Sequence, residues 1–167
     1  MKRLVIGYGN VDRGDDVAGL LVARRVSEMG FETQRHAGDG IALMELWRDA
    51  VEVVLIDAVE GIGVPGSLHV WDAAEIPLIE DRFVCSTHDF GVAHAIRLSR
   101  LLGQLPRQMR IYGITAKNVS AGSAMSLEVA AAVEEAAYSI ATELRENRSL
   151  GMRKVCHGNN SAPDSDL

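Results

Sequence analysis

Basic residues are in the minority in this chain: 17 Lys and Arg stand against 23 Asp and Glu, for a formal net charge of −6. A protein that binds nucleic-acid phosphates needs a basic face, so this balance argues against such a partner. Cysteine is scarce as well. Cys85 and Cys156 show neither the C-x-x-C spacing of a metal site nor a disulfide framework, which points to a reduced, cytoplasmic protein. No apolar stretch approaches the roughly twenty residues that cross a bilayer, so no membrane insertion is expected. Met1-Lys2-Arg3 leads into a short strand-like run rather than the apolar segment of a signal peptide. Internal repeats and multi-His or multi-Cys tracts are absent, and no Ser-His-Asp or Cys-His arrangement is evident. What remains is 167 residues, 47% of them hydrophobic. That is enough for one well-buried domain and too little for two comfortable ones.

The most informative stretch that is present is Leu4-Val5-Ile6-Gly7-Tyr8-Gly9-Asn10, followed by Arg13-Gly14-Asp15-Asp16 and Gly19. An apolar run, a glycine turn and the start of a helix follow the order of a dinucleotide-binding turn. The charge is wrong for one. Phosphate wants bare N–H groups and the positive end of a helix dipole, and Asp15 and Asp16 would repel it. Asp12 also stands where the third glycine of G-x-G-x-x-G belongs. No organic cofactor is therefore expected, and the carboxylates suit a cation or a polar reaction centre better.

Strand-like and helix-like segments alternate along the chain. Leu4–Tyr8 is apolar, Val17–Val26 carries helical spacing, Phe31–His36 alternates weakly, and Ile41–Arg48 reads as a short helix. Val53-Val54-Leu55-Ile56-Asp57 has the aliphatic continuity of a strand buried on both faces. Pro65-Gly66 turns into a strand over Ser67–Trp71. A helix is predicted from about His88 to Leu102, closed by Gly103, then a strand over Arg110–Thr115. Ser126 stands as a cap before a helix whose stripe is Val129, Val133, Ala137, Ile140 and Leu144. From Ser149 to Leu167 the chain turns polar, so residues 149–167 are expected to form a disordered tail on a domain spanning 1–148. The alternation implies a single α/β domain with a mostly parallel sheet covered by helices on both faces.

In such folds ligands sit outside the carboxyl ends of the strands. Asp15 and Asp16 follow the first strand, Asp57 ends the third, and Thr87-His88-Asp89 leads into a helix at the same edge. Each residue alone has a plainer reading. Asp15 or Asp16 could cap a helix, Asp57 could accept loop amides, and His88 could cap the helix that follows. Together, Asp-Asp-His makes a borderline metal site open to several metals. A doubled carboxylate exceeds what one cap needs, and a charge straight after four buried aliphatics is costly unless paired or functional. His94 falls nearly opposite His88 on a helix, so the two do not form an i,i+4 ligand pair. His36, His69 and His157 read as structural, and Cys85 as an inert thiol at a strand end.

Gly7-Tyr8-Gly9-Asn10 with Asp15-Asp16 and Gly19, Leu55-Ile56-Asp57-Ala58, Pro65-Gly66 and Ser86-Thr87-His88 closely resemble the hydrogenase maturation proteases. The resemblance runs from Lys2 to about Arg145. It implies a twisted five-stranded sheet between helices and an endopeptidase that trims the C-terminus of a nickel–iron hydrogenase large-subunit precursor. By position, it places the catalytic and nickel-contacting roles on Asp16, Asp57 and His88. The nickel would arrive bound to substrate thiolates, with the enzyme adding oxygen and imidazole ligands. Two roles for it stay open. It could act as a Lewis acid, or it could dock the substrate while a carboxylate serves as general base in the manner of an aspartyl protease. The chain departs from the family pattern at Gly38-Asp39-Gly40-Ile41, shifted by one and lacking a Thr, and at Asp12, a third carboxylate in the first turn. Two other readings of the same residues are a conventional metallohydrolase holding its own metal and a non-enzymatic nickel-binding accessory protein.

Overall fold

The computed structural model describes residues 2–75 and 91–156, with side chains described as far as 147. His88, with Cys85 and Asp89, lies outside the described residues, as does the chain beyond 156. In chain order the elements are β1 (Lys2–Tyr8), a 3-10 turn (Gly14–Val17), α1 (Ala18–Glu28), β2 (Thr33–His36) and α2 (Gly40–Trp47). They continue with β3 (Ala50–Val59), β4 (Leu68–Asp72), α3 (Val92–Leu101), β5 (Gln108–Thr115) and α4 (Leu127–Cys156).

The strands form one five-stranded sheet in the order β2-β1-β3-β5-β4. β2, β1, β3 and β5 run parallel, and β4 pairs antiparallel with β5. The period of two along β3 explains how one strand serves two cores. Val53 and Leu55 pack with Leu43 and Trp47 of α2 and Ile96 of α3. Val54 and Ile56 pack on the opposite face with Val22 and Val26 of α1 and Val129, Val133 and Ile140 of α4. The stripe Val129, Val133, Ala137, Ile140 and Leu144 expected from helical spacing is buried in full. No helix among the described residues is long and apolar enough to cross a membrane.

α4 continues to Cys156, past the boundary at Ser149 that composition suggests. Residues 149–156 carry no proline, and a helix already nucleated gains a backbone hydrogen bond with each residue added. Polar composition alone does not end a helix there.

Candidate functional site

From β1 the chain crosses to β2 on one side, and from β2 it returns over β1 to β3 on the other. The carboxyl ends of β1 and β3 therefore flank the point where the winding reverses, which is where open α/β sheets bind ligands. Gly7 pairs with Ile56, and Asp57, the next residue of β3, pairs across with Gly113 of β5. Asp57 thus stands where β1 leaves the sheet, and the turn carrying Asp16 closes over the same point.

The glycines of the first motif hold that turn down. A Cβ on Gly19 would lie 2.3 Å from the Tyr8 carbonyl oxygen and 2.4 Å from that of Ile56, and one on Gly9 would lie 2.0 Å from the Asp16 carbonyl oxygen. Only bare backbone permits these approaches. The Asp16 carbonyl accepts from Asn10 N at 3.2 Å, and Gly9 N donates to the His36 carbonyl at 3.2 Å. The glycines that suggest a phosphate turn here serve close packing of α1 on β1 and β3.

Two adjacent carboxylates take different jobs. Asp15 and Asp16 are both fully buried. Asp15 Oδ1 accepts from Ser126 N at 2.7 Å, while Oδ2 accepts from Lys117 N at 2.8 Å, Asn118 N at 2.9 Å and Ser126 Oγ at 3.1 Å. Asp15 N returns a bond to the Asn118 carbonyl at 2.9 Å. Burial pushes the Asp15 carboxyl up, but the bonds from Ser126, Asn118 and Lys117 outweigh it and hold the group below its ordinary value. Asp15 is therefore a clamp from the first turn to the β5–α4 connection and the start of α4. It caps a helix distant in sequence from its own, which leaves Asp16 for the site.

Asp57 has the opposite environment. It is fully buried, and its Oδ1 accepts only the amide of Ala58 at 2.8 Å. Its Oδ2 is buried with no hydrogen-bond partner among the described residues. Burial first, and the charge of Asp16 second, push the Asp57 carboxyl well above the carboxylate range, against the pull of the Ala58 amide. An unpartnered, desolvated oxygen beside a second carboxylate is what a cation or a proton donor would satisfy.

The third expected residue, His88, lies outside the described residues, so the structure brings together two of the three. Trp47 Nε1, at the end of α2, donates to Ser99 Oγ near the end of α3 at 3.3 Å. The last turn of α3 therefore lies at the amino edge of the sheet and its first turn toward the carboxyl edge. Among the described residues no group of three His, Cys, Asp or Glu could hold a metal. Asp39 is the N-cap of α2, accepting from Ile41 N at 2.9 Å and Ala42 N at 3.0 Å. Asp12 is exposed, and its amide donates to Asn10 Oδ1 at 2.9 Å. Sequence reasoning missed the clamp role of Asp15, and its available signal was Ser126, a cap residue at a helix start.

Residues 37–143 match the family model HycI, hydrogenase maturation protease. The hydrogenase 2 maturation protease of Escherichia coli (strain K12) is 24% identical over 153 residues, covering 88% of this chain and 93% of that protein. The hydrogenase maturating endopeptidase HybD from E. coli superposes with a TM-score of 0.76 at 21% identity, over 88% of this chain and 94% of that one. The NiFe hydrogenase maturation protease HybD from Thermococcus kodakarensis gives 0.69 at 28% identity, over 86% and 99%. The chain belongs to the hydrogenase maturation protease family, whose members are peptide-bond hydrolases.

Proposed function

We propose that this endopeptidase removes the C-terminal extension of a nickel–iron hydrogenase large-subunit precursor, and that it recognises the precursor through nickel the substrate already carries. The observation that carries this reading is Asp57, with one carboxyl oxygen buried, unpartnered and next to a second carboxylate. A pair of carboxylates offers hard oxygen donors, which complement a cation held by thiolates on the substrate side. When that cation is present, the repulsion between Asp16 and Asp57 becomes attraction by both. A loaded precursor is then held where an empty one is not.

In this reading Asp16 and Asp57 orient the loaded segment, and His88, which follows β4 and precedes α3 in the chain, supplies the imidazole. The bound nickel would bring Lewis acidity to the adjoining carbonyl. If the nickel serves for docking alone, one of the two carboxylates is the general base, and Asp57 is the one whose proton affinity burial and the neighbouring Asp16 raise. Asp15 keeps Asp16 in register from behind, through the backbone amides of Lys117, Asn118 and Ser126 and the Ser126 hydroxyl.

The test is incubation of the purified protein with a nickel-loaded large-subunit precursor, followed by intact mass measurement. Loss of one C-terminal fragment is expected, and a precursor whose mass does not change refutes the reading.

A further inference from the structure

A cleft of about 840 Å³ lies between α1 and β2, lined among others by Val11, Leu20, Arg24, Thr33 and Arg35. The candidate site does not use it, and β2 forms the outer edge of the sheet. The register settles which backbone groups are available there. Val5 N donates to the Glu32 carbonyl at 3.1 Å and Gly9 N to the His36 carbonyl at 3.2 Å, and Val5 pairs with Thr33 and Gly7 with Arg35. In a parallel ladder with that register, residues 32, 34 and 36 turn their amides toward β1. Thr33 and Arg35 turn theirs outward, away from the sheet. Because Val5 belongs to the α1 face, its register partner Thr33 and then Arg35 place their side chains on that face too, beside the cleft.

An edge with free donors and acceptors is a template for another strand. Natural edges are often blunted by proline or a bulge, and β2 has neither. Arg24 is tied to Glu28 at 3.2 Å, whereas Arg35 is exposed and has no ion-pair partner among the described residues. Val11, in the turn between Gly9 and Asp16, is 69% exposed at one end of the cleft. The cleft therefore runs from an open strand edge to the turn that carries the site. A protease must hold its substrate extended for the scissile bond to be reached, and an extended chain is what a strand edge binds.

We propose that the outer edge of β2 is the docking strand for the substrate polypeptide. An extended segment of the precursor adds beside β2 through the outward amides of Thr33 and Arg35. Its alternate side chains enter the cleft against α1, an acidic one meets Arg35, and the chain continues past Val11 to the carboxylates. This rests on the protease reading above and adds to it the mode in which the polypeptide is bound.

Two variants test it by different physics. Arg35→Pro removes one outward N–H and no bond to β1, a change that edge strands tolerate. Arg35→Glu keeps the backbone and reverses the charge. With nickel-loaded precursor at varied concentration, each should raise KM about tenfold and leave kcat at saturation unchanged, with the melting temperature of Arg35→Glu equal to that of the parent. Wild-type KM in Arg35→Glu overturns the proposal, whether or not Arg35→Pro folds, and so does a fall in kcat at unchanged KM. A parent enzyme that leaves loaded precursor uncut overturns the protease reading instead, and the docking mode falls with it.

Discussion

Replacing Asp57 by Asn should make the folded protein more stable while abolishing processing. Asp57 is fully buried, Oδ1 has the Ala58 amide, and Oδ2 has nothing. A buried polar atom without a partner costs about 1–3 kcal/mol, and the charge of Asp16 adds to that cost. Asn keeps an oxygen for the Ala58 amide and places an NH2 group, which cannot ionise, beside Asp16. For a domain of this size each kcal/mol moves the melting temperature by about 2–4 °C, so a gain of about 3–6 °C near neutral pH is expected. The pH dependence gives the sharper test. The folded carboxyl titrates well above its ordinary value of 3.8. Below that value Asp57 is protonated whether the chain is folded or not, and the substitution changes least. As pH rises, the unfolded chain releases its proton and the folded protein retains it, so the parent loses stability until the folded pKa is passed. The advantage of Asn should therefore grow from about pH 4 upward and then level off. Thermal melts of both proteins in chelator-treated buffer from about pH 4 to about pH 8 measure it. An Asn variant no more stable than the parent at neutral pH, or an advantage constant over that range, refutes the argument.

Other outcomes follow from neighbouring residues. Asp15→Ala leaves three backbone amides without their acceptor and should cost about 3 kcal/mol in urea denaturation. Because the folded Asp15 titrates below 3.8, the clamp should hold above that pH and fail as pH falls through its folded pKa, the reverse of Asp57. Gly19→Ala would drive a Cβ to 2.3 Å from the Tyr8 carbonyl oxygen, and a melt should show a loss of about 1–3 kcal/mol or more, since backbone must move. Asp16→Ala, Asp57→Ala and His88→Ala should each block processing in the mass assay while circular dichroism stays native. Full processing by both the Asp57 and His88 variants would remove the site assignment.

The elements were legible where burial writes a period into the residues. The aliphatic run Val53–Ile56 reads as a strand covered on both faces because it is one, and the α4 stripe reads as a helix for the same reason. Asp57 was legible as a charge placed straight after that run. The antiparallel direction of β4 was not, because Leu68–Asp72 is half-exposed and short and its direction depends on pairing with β5. The division of labour between Asp15 and Asp16 was also hidden. Both are buried acids in one 3-10 turn, and what separates them is a set of donors from 117 to 126, distant in the chain. Asp39 had lost the surroundings expected of a site residue, and its environment is that of a helix cap.

The central claim is that Asp16 and Asp57 meet a nickel ion that travels with the substrate. A crossed incubation tests it most directly: chelator-stripped enzyme with nickel-loaded precursor, and metal-treated, desalted enzyme with empty precursor, each read by intact mass. Cleavage in the first mixture and none in the second is the predicted result. Cleavage only in the second would place the metal in the enzyme and contradict the account.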